Sequence, residues 1–570
     1  MTPLGKSGGL FQPLEMLRFK PLAPAGILLF VYSFAALLTC PLANLPFHDD
    51  WTYAWSVEHL LNTGELRILD WSVHYPFTQI LWGTLFSLPF GFSFTALRAS
   101  MAMLAWLGAL ALYGTLRELG RMRTESLIAT LVLVANPVFF VLTFSFMTDV
   151  PFVSMSNIAF LFIVRGIRRR NSLNLWVGCG FAASAFFIRQ IAIAIPGGLL
   201  FYVLLTPSCR TWKYVLPPIT ISTFVGLMPF VIGQVFGLTS QYAGRIWVVD
   251  HWLLHYDQAV PGVLRILMHT GLALIPISMP LIASLCGRRV FWGALAVLFL
   301  LAAWSVSFSG EILRPLEGMW QLNTLGRERH LLQGPPVPDF LPSWLNPPLF
   351  TLSLFSSAGI IVKVVDVMCA RIERPLRLFV WYASIHFFLI MALWFFGRWG
   401  SDRYSMVLLA PFIVILASGH LRSTITLGGI AVLFSLSILV TWNETQTSRA
   451  TAEAVAWLRE KDIPLASIDA GYVFNGWNLY AHPENLPAGA RPEKDVPRVT
   501  SLERKPYVIA ASPIPGHRVL REYGWSIPFK SLQYKVYVLE QLPEQPNSKN
   551  EFGSRNGGAI TFLRSVSLLM

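Results

Sequence analysis

Residues 22–54 read LAPAGILLFVYSFAALLTCPLANLPFHDDWTYA, an apolar run followed closely by two adjacent acids, Asp49 and Asp50. The apolar part, 22–42, has about the 20 residues that an α-helix needs to cross a bilayer. Carboxylates beside a membrane are costly unless they have water or a partner. We therefore predict a membrane-spanning helix that ends just before Asp49, with a functional site at that surface of the membrane.

The rest of the chain repeats this apolar pattern. Of its 570 residues, 54% are hydrophobic and only 13% are charged, and the mean hydropathy is +0.54. A soluble protein carries roughly 25% charged residues, so the composition predicts a polytopic membrane protein. The net charge of +13 comes largely from Lys and Arg in the connections between apolar stretches, and it does not indicate a nucleic-acid partner. The candidate spans are 22–42, 96–116, 126–146, 150–165, 173–188, 190–206, 214–236, 263–285, 290–308, 348–368, 378–397, 404–419 and 424–441.

The distribution of Lys and Arg sets the orientation of these spans. One more stretch, 77–94, either crosses the membrane or lies flat at the interface as an aromatic-rich helix. If it lies flat and the N-terminus is cytoplasmic, eighteen basic residues fall in inner segments and eight in outer loops. If it crosses, the cluster from Arg165 to Arg170 faces outward, against the positive-inside rule. We predict thirteen spans, with Asp49, Asp50 and Asp149 at the outer face.

The chain changes character after residue 444. We predict a transmembrane domain over 1–444 with a long first outer loop over 43–95, and a small extracytoplasmic α/β domain over 445–545. The last residues, 546–570, are expected to form a flexible tail. The pattern over 447–461 predicts an amphipathic helix. Short strand-like runs follow it, at 465–469, 507–511 and 535–539.

The acids have a structural alternative to chemistry. Gly64 predicts the end of a helix over about 51–62, and Asp49 or Asp50 would cap its start. Asp149 would similarly cap a helix that has a proline in its first turn. One cap needs only one acid, however, and two adjacent carboxylates repel each other. The pair therefore favours a second role, that of a general base that deprotonates an acceptor hydroxyl.

Basic and aromatic residues share the predicted outer face with the acids. Arg189 lies between spans five and six, and Arg398, Arg403 and Tyr404 lie between spans eleven and twelve. Arginine binds phosphate well through its planar set of donors. The alternative for each arginine is a side chain that snorkels to the interface. The first outer loop adds interfacial or acceptor-facing candidates, namely His74, Tyr75 and Trp82.

The order of these motifs resembles the GT-C class of membrane glycosyltransferases. The similarity is closest to the family 39 type, which includes protein O-mannosyltransferases, the aminoarabinose transferase of lipid A and lipopolysaccharide galacturonosyltransferases. The matching elements are Asp49-Asp50, Leu61-Asn62-Thr63-Gly64, Tyr75-Pro76, Trp82-Gly83, Thr148-Asp149-Val150-Pro151, Arg189, and Arg403-Tyr404 with Pro411. The aminoarabinose transferase has Glu-Lys where this chain has His74-Tyr75, and this departure weakens any transfer of that enzyme's substrate.

The resemblance implies an inverting transferase that moves a sugar from a polyprenyl-phosphate donor to a hydroxyl of a lipid, glycan or protein. It implies that Asp49 is the base, that Asp50 is its companion and that Asp149 orients the acceptor or the base. It places Arg189, Arg403 and Tyr404 at the donor phosphate, and Arg398 is a further phosphate-binding candidate from its place in the same loop. The resemblance implies no certain cofactor, but the acids and His74 leave a divalent cation open. We expect an integral protein of a bacterial inner membrane, with its site on the periplasmic side.

Other functions fit parts of the pattern. An oligosaccharyltransferase or ligase would move a preassembled glycan from a lipid pyrophosphate, within the same fold class and more often with a metal. A transporter or flippase would carry ionisable residues at mid-span and a symmetry-related repeat, of which the sequence shows little. A structural membrane protein with a sensory outer domain would leave the adjacent acids unexplained.

Overall fold

The structure, a computed structural model, describes residues 23–41, 43–235, 256–309, 332–334, 341–369, 374–395, 402–419, 421, 423–490, 505–526 and 533–543. Its α-helices are α1 (Ala23–Thr39), α2 (Asp50–Thr63), α3 (Phe77–Ser87), α4 (Phe94–Glu118), α5 (Arg123–Val134), α6 (Pro137–Thr143), α7 (Asp149–Arg169), α8 (Ser172–Phe186), α9 (Ala194–Leu205), α10 (Trp212–Val235), α11 (Tyr256–Ala273), α12 (Ile275–Leu285), α13 (Arg289–Ser309), α14 (Asn346–Cys369), α15 (Arg377–Phe395), α16 (Met406–Leu416), α17 (Ser423–Arg459) and α18 (Gly471–Asn475). Its strands are β1 (Ile468–Asp469), β2 (Tyr507–Ala510), β3 (His517–Ser526) and β4 (Gln533–Gln541).

The predicted α-helical polytopic membrane fold is confirmed. Six of the described helices, namely α4, α7, α10, α13, α14 and α17, are long and apolar enough to cross a membrane. The number rises to eight if each of two bent helix pairs counts as one span. All thirteen predicted stretches coincide with helices or bent pairs, but thirteen crossings are not confirmed. In the remaining five stretches the apolar helical part has 10–17 residues, and 17 residues reach only about 25 Å, less than the hydrocarbon core.

Both bent pairs break at a proline. α5 and α6 meet at an angle of 73°, where Pro137 opens α6 and the Asn136 side chain accepts a hydrogen bond from the Phe139 N–H at 3.1 Å. α11 and α12 meet at 95°, and Pro276 stands in the first turn of α12. Proline is compatible with the start of a helix but removes a hydrogen bond from its interior. Each apolar stretch is therefore divided into two short helices.

The ambiguous stretch 77–94 contains α3, which has only eleven residues and extends about 16 Å. It is too short to cross a bilayer, in agreement with the prediction that this stretch does not form a span. Leu81, Leu85 and Leu88 are more than half exposed on α3 and just after it. An apolar face without protein neighbours is typical of a helix that contacts lipid at the membrane surface.

The last long helix differs from the prediction. α17 runs without a break through residue 444, so the predicted boundary at 445 and the predicted helix over 447–461 lie on one continuous helix. The helix continues because no glycine or proline interrupts the sequence between residues 430 and 459, and the division into two domains stays a prediction. α17 therefore connects the membrane part rigidly to the sheet that follows it.

A four-stranded mixed sheet forms near the C-terminus, in the order β1-β2-β4-β3. β1 pairs with β2 in parallel, and the other pairs are antiparallel. The predicted strands at 465–469, 507–511 and 535–539 coincide with β1, β2 and β4. In the first of them, residues 465–467 form a 3-10 turn and only the end is a strand. The long β3 was not predicted, because its largely exposed sequence HRVLREYGWS lacks a clean apolar alternation. One cluster of buried residues joins the sheet to α17, namely Ala450, Ala454, Leu458, Ile468, Ile509, Val536 and Val538.

Candidate active site

Four charged side chains converge at points where helices begin. Asp49 immediately precedes α2, Asp149 is the first residue of α7, Arg189 lies in the turn between α8 and α9, and Arg403 lies in the turn before α16. Charged residues of membrane proteins collect at such helix ends, because there they can stay close to water or to one another. Four separate connections therefore bring two acids and two cations together.

Arg403 stands between the two acids. Its Nη2 is 3.7 Å from Asp49 Oδ2, and its Nη1 is 4.0 Å from Asp149 Oδ2. Arg189 lies on the other side of Asp149, with 2.8 Å between Nη2 and Asp149 Oδ1. Asp149 has no exposed side-chain surface, whereas the Asp49 side chain is 30% exposed. Of the two acids, Asp49 is thus the one that a molecule from outside can reach.

These contacts decide against the simpler alternatives for several residues. Asp49 occupies the N-cap position of α2 and Thr148 that of α7, yet neither side chain makes a capping hydrogen bond. Arg189 is buried, and its Nε donates to the Thr148 hydroxyl at 2.9 Å. A buried and paired guanidinium does not snorkel to the interface. Helix capping and snorkelling therefore do not account for these side chains.

Asp50 faces a different environment from Asp49. Its side chain is fully buried, and its two oxygens accept hydrogen bonds from the Phe47 N–H at 2.6 Å and the Phe146 N–H at 3.4 Å. Arg98 lies nearby and donates to three carbonyls of the same loop, those of Pro41, Ala43 and Leu45. These bonds tie the loop before α2 to the end of α6. They indicate that Asp50 stabilises this loop, and its role as the companion of Asp49, which the resemblance implied, stays a prediction.

Burial raises the pKa of the Asp50 carboxyl from 3.8 to about 7, although Arg98 and the two backbone donors act in the opposite direction. The folded protein therefore holds this proton more tightly than the unfolded chain does. The stability that the bound proton contributes is complete below pH 3.8 and is lost as the pH rises through about 7.

Asp50→Asn is expected to flatten this fall in stability, because asparagine imitates the protonated carboxyl and cannot ionise. The measurement is the melting temperature of the purified full chain between about pH 3 and about pH 8, on either side of the two pKa values. Glu65→Gln is a matched control, since Glu65 is an exposed acid of the same loop, and it should keep the wild-type slope. An unchanged slope in Asp50→Asn would assign the pH dependence to another group.

Aromatic residues close the charged site. The Tyr404 ring lies under the Arg189 guanidinium, 5.8 Å from ring centroid to Cζ, a distance that suits a cation–π contact. Tyr53 is buried in α2. Burial first, and then the charge of Asp49, raise the pKa of its hydroxyl, while Arg189 and Arg403 oppose the rise. Tyr53 therefore stays neutral beside the charged groups.

The other predicted site residues occupy the surroundings. His74 Nδ1 is 3.4 Å from Gln190 Oε1, so His74 lies next to the turn that carries Arg189. Tyr75 is buried, and the Trp82 indole N–H donates to the Ser100 carbonyl at 3.0 Å, which fixes α3 to α4. Arg398 lies outside the described residues. Within the described ranges, no three His, Cys, Asp or Glu side chains come together as a metal site, and the divalent cation stays a prediction.

One residue of the site was missed by the sequence reasoning. Tyr472 lies 423 positions after Asp49 along the chain; burial, and after it the charge of Asp49, raise the pKa of its hydroxyl. It also accepts a hydrogen bond from the Trp71 indole at 3.0 Å. No spacing or motif in the sequence connects residue 472 with residue 49.

A separate cavity of about 450 Å³ lies on another side of the loop before α2. Its walls come from residues 44–48, from α17 and from residues 473–478, and they include His48, Thr447 and Trp477. None of the four converging charged side chains lines it. The charged site and this cavity are therefore distinct features of the described structure.

Residues 75–232 match the family model described as dolichyl-phosphate-mannose-protein mannosyltransferase. This segment includes Asp149 and Arg189 and ends before Arg403. The match confirms, for that part of the chain, the resemblance to GT-C membrane glycosyltransferases. No curated protein is significantly similar to this chain.

Solved structures with distant similarity include two of ArnT from Cupriavidus metallidurans and one of the Archaeoglobus fulgidus oligosaccharyltransferase. The apo ArnT structure is 14% identical, covers 78% of this chain and 80% of its own, and has a TM-score of 0.37. ArnT bound to undecaprenyl phosphate is 13% identical, with coverage of 78% and 82% and a TM-score of 0.36. The apo oligosaccharyltransferase is 12% identical, with coverage of 78% and 59% and a TM-score of 0.44.

Proposed function

We propose that this chain is an inverting glycosyltransferase that takes a sugar from a polyprenyl-phosphate donor and passes it to a hydroxyl of a lipid, glycan or protein at the extracytoplasmic face. The observation that carries the proposal is the placement of Arg403 between a reachable acid, Asp49, and a buried acid, Asp149. The family similarity adds that residues 75–232 match proteins described as using a dolichyl-phosphate sugar.

The reachable acid supplies the base. Asp49 takes the proton of the acceptor hydroxyl as the acceptor oxygen attacks the anomeric carbon of the donor sugar. The bond between that carbon and the phosphate oxygen breaks, and the phosphate leaves with the electron pair. Attack from the face opposite the phosphate inverts the anomeric centre. General base catalysis of this kind contributes typically about 10² to 10⁴ in rate.

The arginines supply positive charge for the departing phosphate. Arg403 brings its guanidinium to within 3.7 Å of Asp49 and 4.0 Å of Asp149, where its planar set of donors can also bind a phosphate oxygen. Arg189 is held more rigidly, between Asp149, Thr148 and the Tyr404 ring. We assign Asp149 to holding this pair of cations in place, because a fully buried carboxylate cannot meet an incoming acceptor.

The position of the site suits a lipid-linked donor. The charged groups lie at the ends of apolar helices. α3, with its row of exposed leucines, is joined to the turn that carries Arg189 by a hydrogen bond from the Thr78 N–H to the Phe187 carbonyl at 3.4 Å. A polyprenyl chain would stay in the lipid against such a surface, while its phosphate reaches the arginines at the helix ends. The sugar then lies in the polar layer, next to Asp49.

Mass spectrometry of the host's glycolipids, glycans and glycoproteins, with and without this chain, tests the proposal. We expect one sugar to disappear from one acceptor, and the spent donor to be a polyprenyl phosphate. A polyprenyl pyrophosphate product, with loss of a whole oligosaccharide, would favour the ligase alternative. Unchanged lipids, glycans and proteins in the deleted host would contradict the assignment as a transferase.

A further inference from the structure

The imidazole of His482 makes two hydrogen bonds, one through each ring nitrogen. Nδ1 is 2.8 Å from the backbone carbonyl of Trp477, and Nε2 is 3.0 Å from Glu58 Oε2. A carbonyl oxygen can only accept a hydrogen bond, so Nδ1 carries a proton. Nε2 faces a carboxylate, which while it is ionised can likewise only accept. Both contacts therefore form together only when His482 and Glu58 hold one proton more than a neutral imidazole and an ionised carboxylate carry.

This pair joins two segments that are far apart in the sequence. Glu58 lies on α2, and His482 lies in residues 471–486. The Trp51 ring of α2 is 6.1 Å from the Tyr480 ring, centroid to centroid, and both rings belong to one cluster of apolar side chains that the two segments share. Burial of these rings does not depend on pH, whereas the contact of Glu58 with His482 does.

The surroundings of His482 favour its charged form. Burial alone lowers the pKa of the imidazole, but the hydrogen bonds to Glu58 and to the Trp477 carbonyl, and the charges of Glu58 and Glu484, raise it above the ordinary value of 6.5. In the described part of the chain, the charged groups that act on this ring are thus both acids, Glu58 from α2 and Glu484 from the turn after His482. The His482 and Glu58 side chains are 21% and 23% exposed, so protons can exchange with water.

The shared proton links docking to pH. When residues 471–486 leave α2, His482 loses Glu58 and its pKa returns toward 6.5, so the docked state binds the proton more tightly. The stability that the contact contributes is complete below pH 6.5 and is lost as the pH rises through the higher pKa of the docked state. Between these two values, the opening equilibrium should rise by up to about tenfold per pH unit.

We infer that Glu58 and His482 form a pH-sensitive latch, which holds residues 471–486 on α2 while the two side chains share the additional proton. A rise in pH removes that proton and weakens the attachment of this segment to the helix that begins immediately after Asp49. The latch concerns docking alone and does not assume the proposed transferase activity.

Hydrogen–deuterium exchange at the C2 position of the imidazole, followed by mass spectrometry, titrates His482 individually in the full chain. We expect its midpoint to lie above pH 6.5 in the wild type. In Glu58→Gln the midpoint should fall to that value or lower, because glutamine keeps the size of the side chain but removes its charge. Glu65→Gln removes an exposed acid just after α2 and should keep the wild-type midpoint.

Exchange of the backbone amides of residues 471–486, corrected for the intrinsic effect of pH, measures the docking itself. In the wild type, opening of this segment should increase by up to about tenfold per pH unit above pH 6.5. In Glu58→Gln, opening should be frequent and should no longer change with pH in this interval. Asp50 also titrates at about pH 7, but it contacts residues 47 and 146, so Asp50→Asn should keep the wild-type pH dependence of the segment.

The latch would be overturned by a wild-type His482 that titrates at or below pH 6.5, or by a midpoint that Glu58→Gln leaves unchanged. Wild-type amide exchange of residues 471–486 that does not follow pH would overturn it as well. If Glu58→Gln does not fold, His482→Gln serves in its place. Glutamine cannot ionise, so this variant should remove the pH dependence of the segment, and a dependence that persists there would belong to another group.

Discussion

Asp49→Asn is expected to reduce transfer by about 10² to 10⁴-fold, the range typical for loss of a general base. The amide retains the size of the side chain, but it cannot take a proton from the acceptor. The loss should therefore appear in kcat, with donor binding nearly unchanged, because Arg403 and Arg189 remain in place. The measurement is the single-turnover rate of the full chain in lipid nanodiscs, with the donor identified from the host.

Two controls isolate the role of this carboxylate. Glu65→Gln removes an exposed acid of the same loop and should leave the rate unchanged. Asp50→Asn removes the neighbouring acid and should leave kcat within about tenfold of wild type, since Asp50 contacts the loop backbone and not the cations. If Asp49→Asn retains wild-type turnover, or if Asp50→Asn is the variant that loses it, the assignment of the base is wrong.

The different environments of Asp49 and Asp50 follow from helix geometry. Successive residues at the start of a helix point about 100° apart, so one carboxylate faces the cations while the next faces the protein interior. The sequence could identify the adjacent acids as significant and place them at a membrane surface. It could not decide which of them is reachable, because that depends on where Phe146 and Arg98 lie in three dimensions.

The convergence of Asp49, Asp149, Arg189 and Arg403 was easier to anticipate. Each lies at a helix end, and the charge bias of the loops placed all four ends on one side of the membrane. Tyr472 could not be anticipated in this way. It reaches the rings of Trp51 and Trp71 only because α17 continues past residue 444 and returns the chain, through β1, to the surface of α2. Contacts between distant segments of this kind have no local pattern in the sequence.

The number of membrane crossings also could not be predicted from local sequence patterns alone. Apolar composition located every helical stretch, including 126–146 and 263–285, because burial in lipid or in protein requires the same residues. Composition could not predict the bends of 73° and 95° that divide these two stretches. The prolines that open α6 and α12 were visible in the sequence, but proline in an apolar stretch is compatible with either a kinked span or a broken one.

The buried pair of Asp149 and Arg189 is expected to give the largest change in stability. Asp149→Asn leaves Arg189 buried with its partner removed, and Arg189→Gln leaves the Asp149 carboxylate with only the distant Arg403. Each single variant should lose about 3 to 5 kcal/mol of unfolding free energy, the usual cost of an uncompensated buried charge. The double variant should lose less than the sum of the two single variants, because it leaves no single charge behind.

A second ion pair, which is partly exposed to water, serves as the control for the buried pair. Arg288 and Asp366 form two hydrogen bonds of 2.8 and 2.7 Å, but their side chains are 39% and 32% exposed. Breaking that pair should cost no more than about 1 kcal/mol, since water replaces the lost partner. The measurement is a double-mutant cycle for each pair by denaturant unfolding in detergent. Equal costs for the two pairs would mean that Asp149 and Arg189 are hydrated in the working protein, and Asp149 could then no longer be assigned to holding the cations of a water-excluding site.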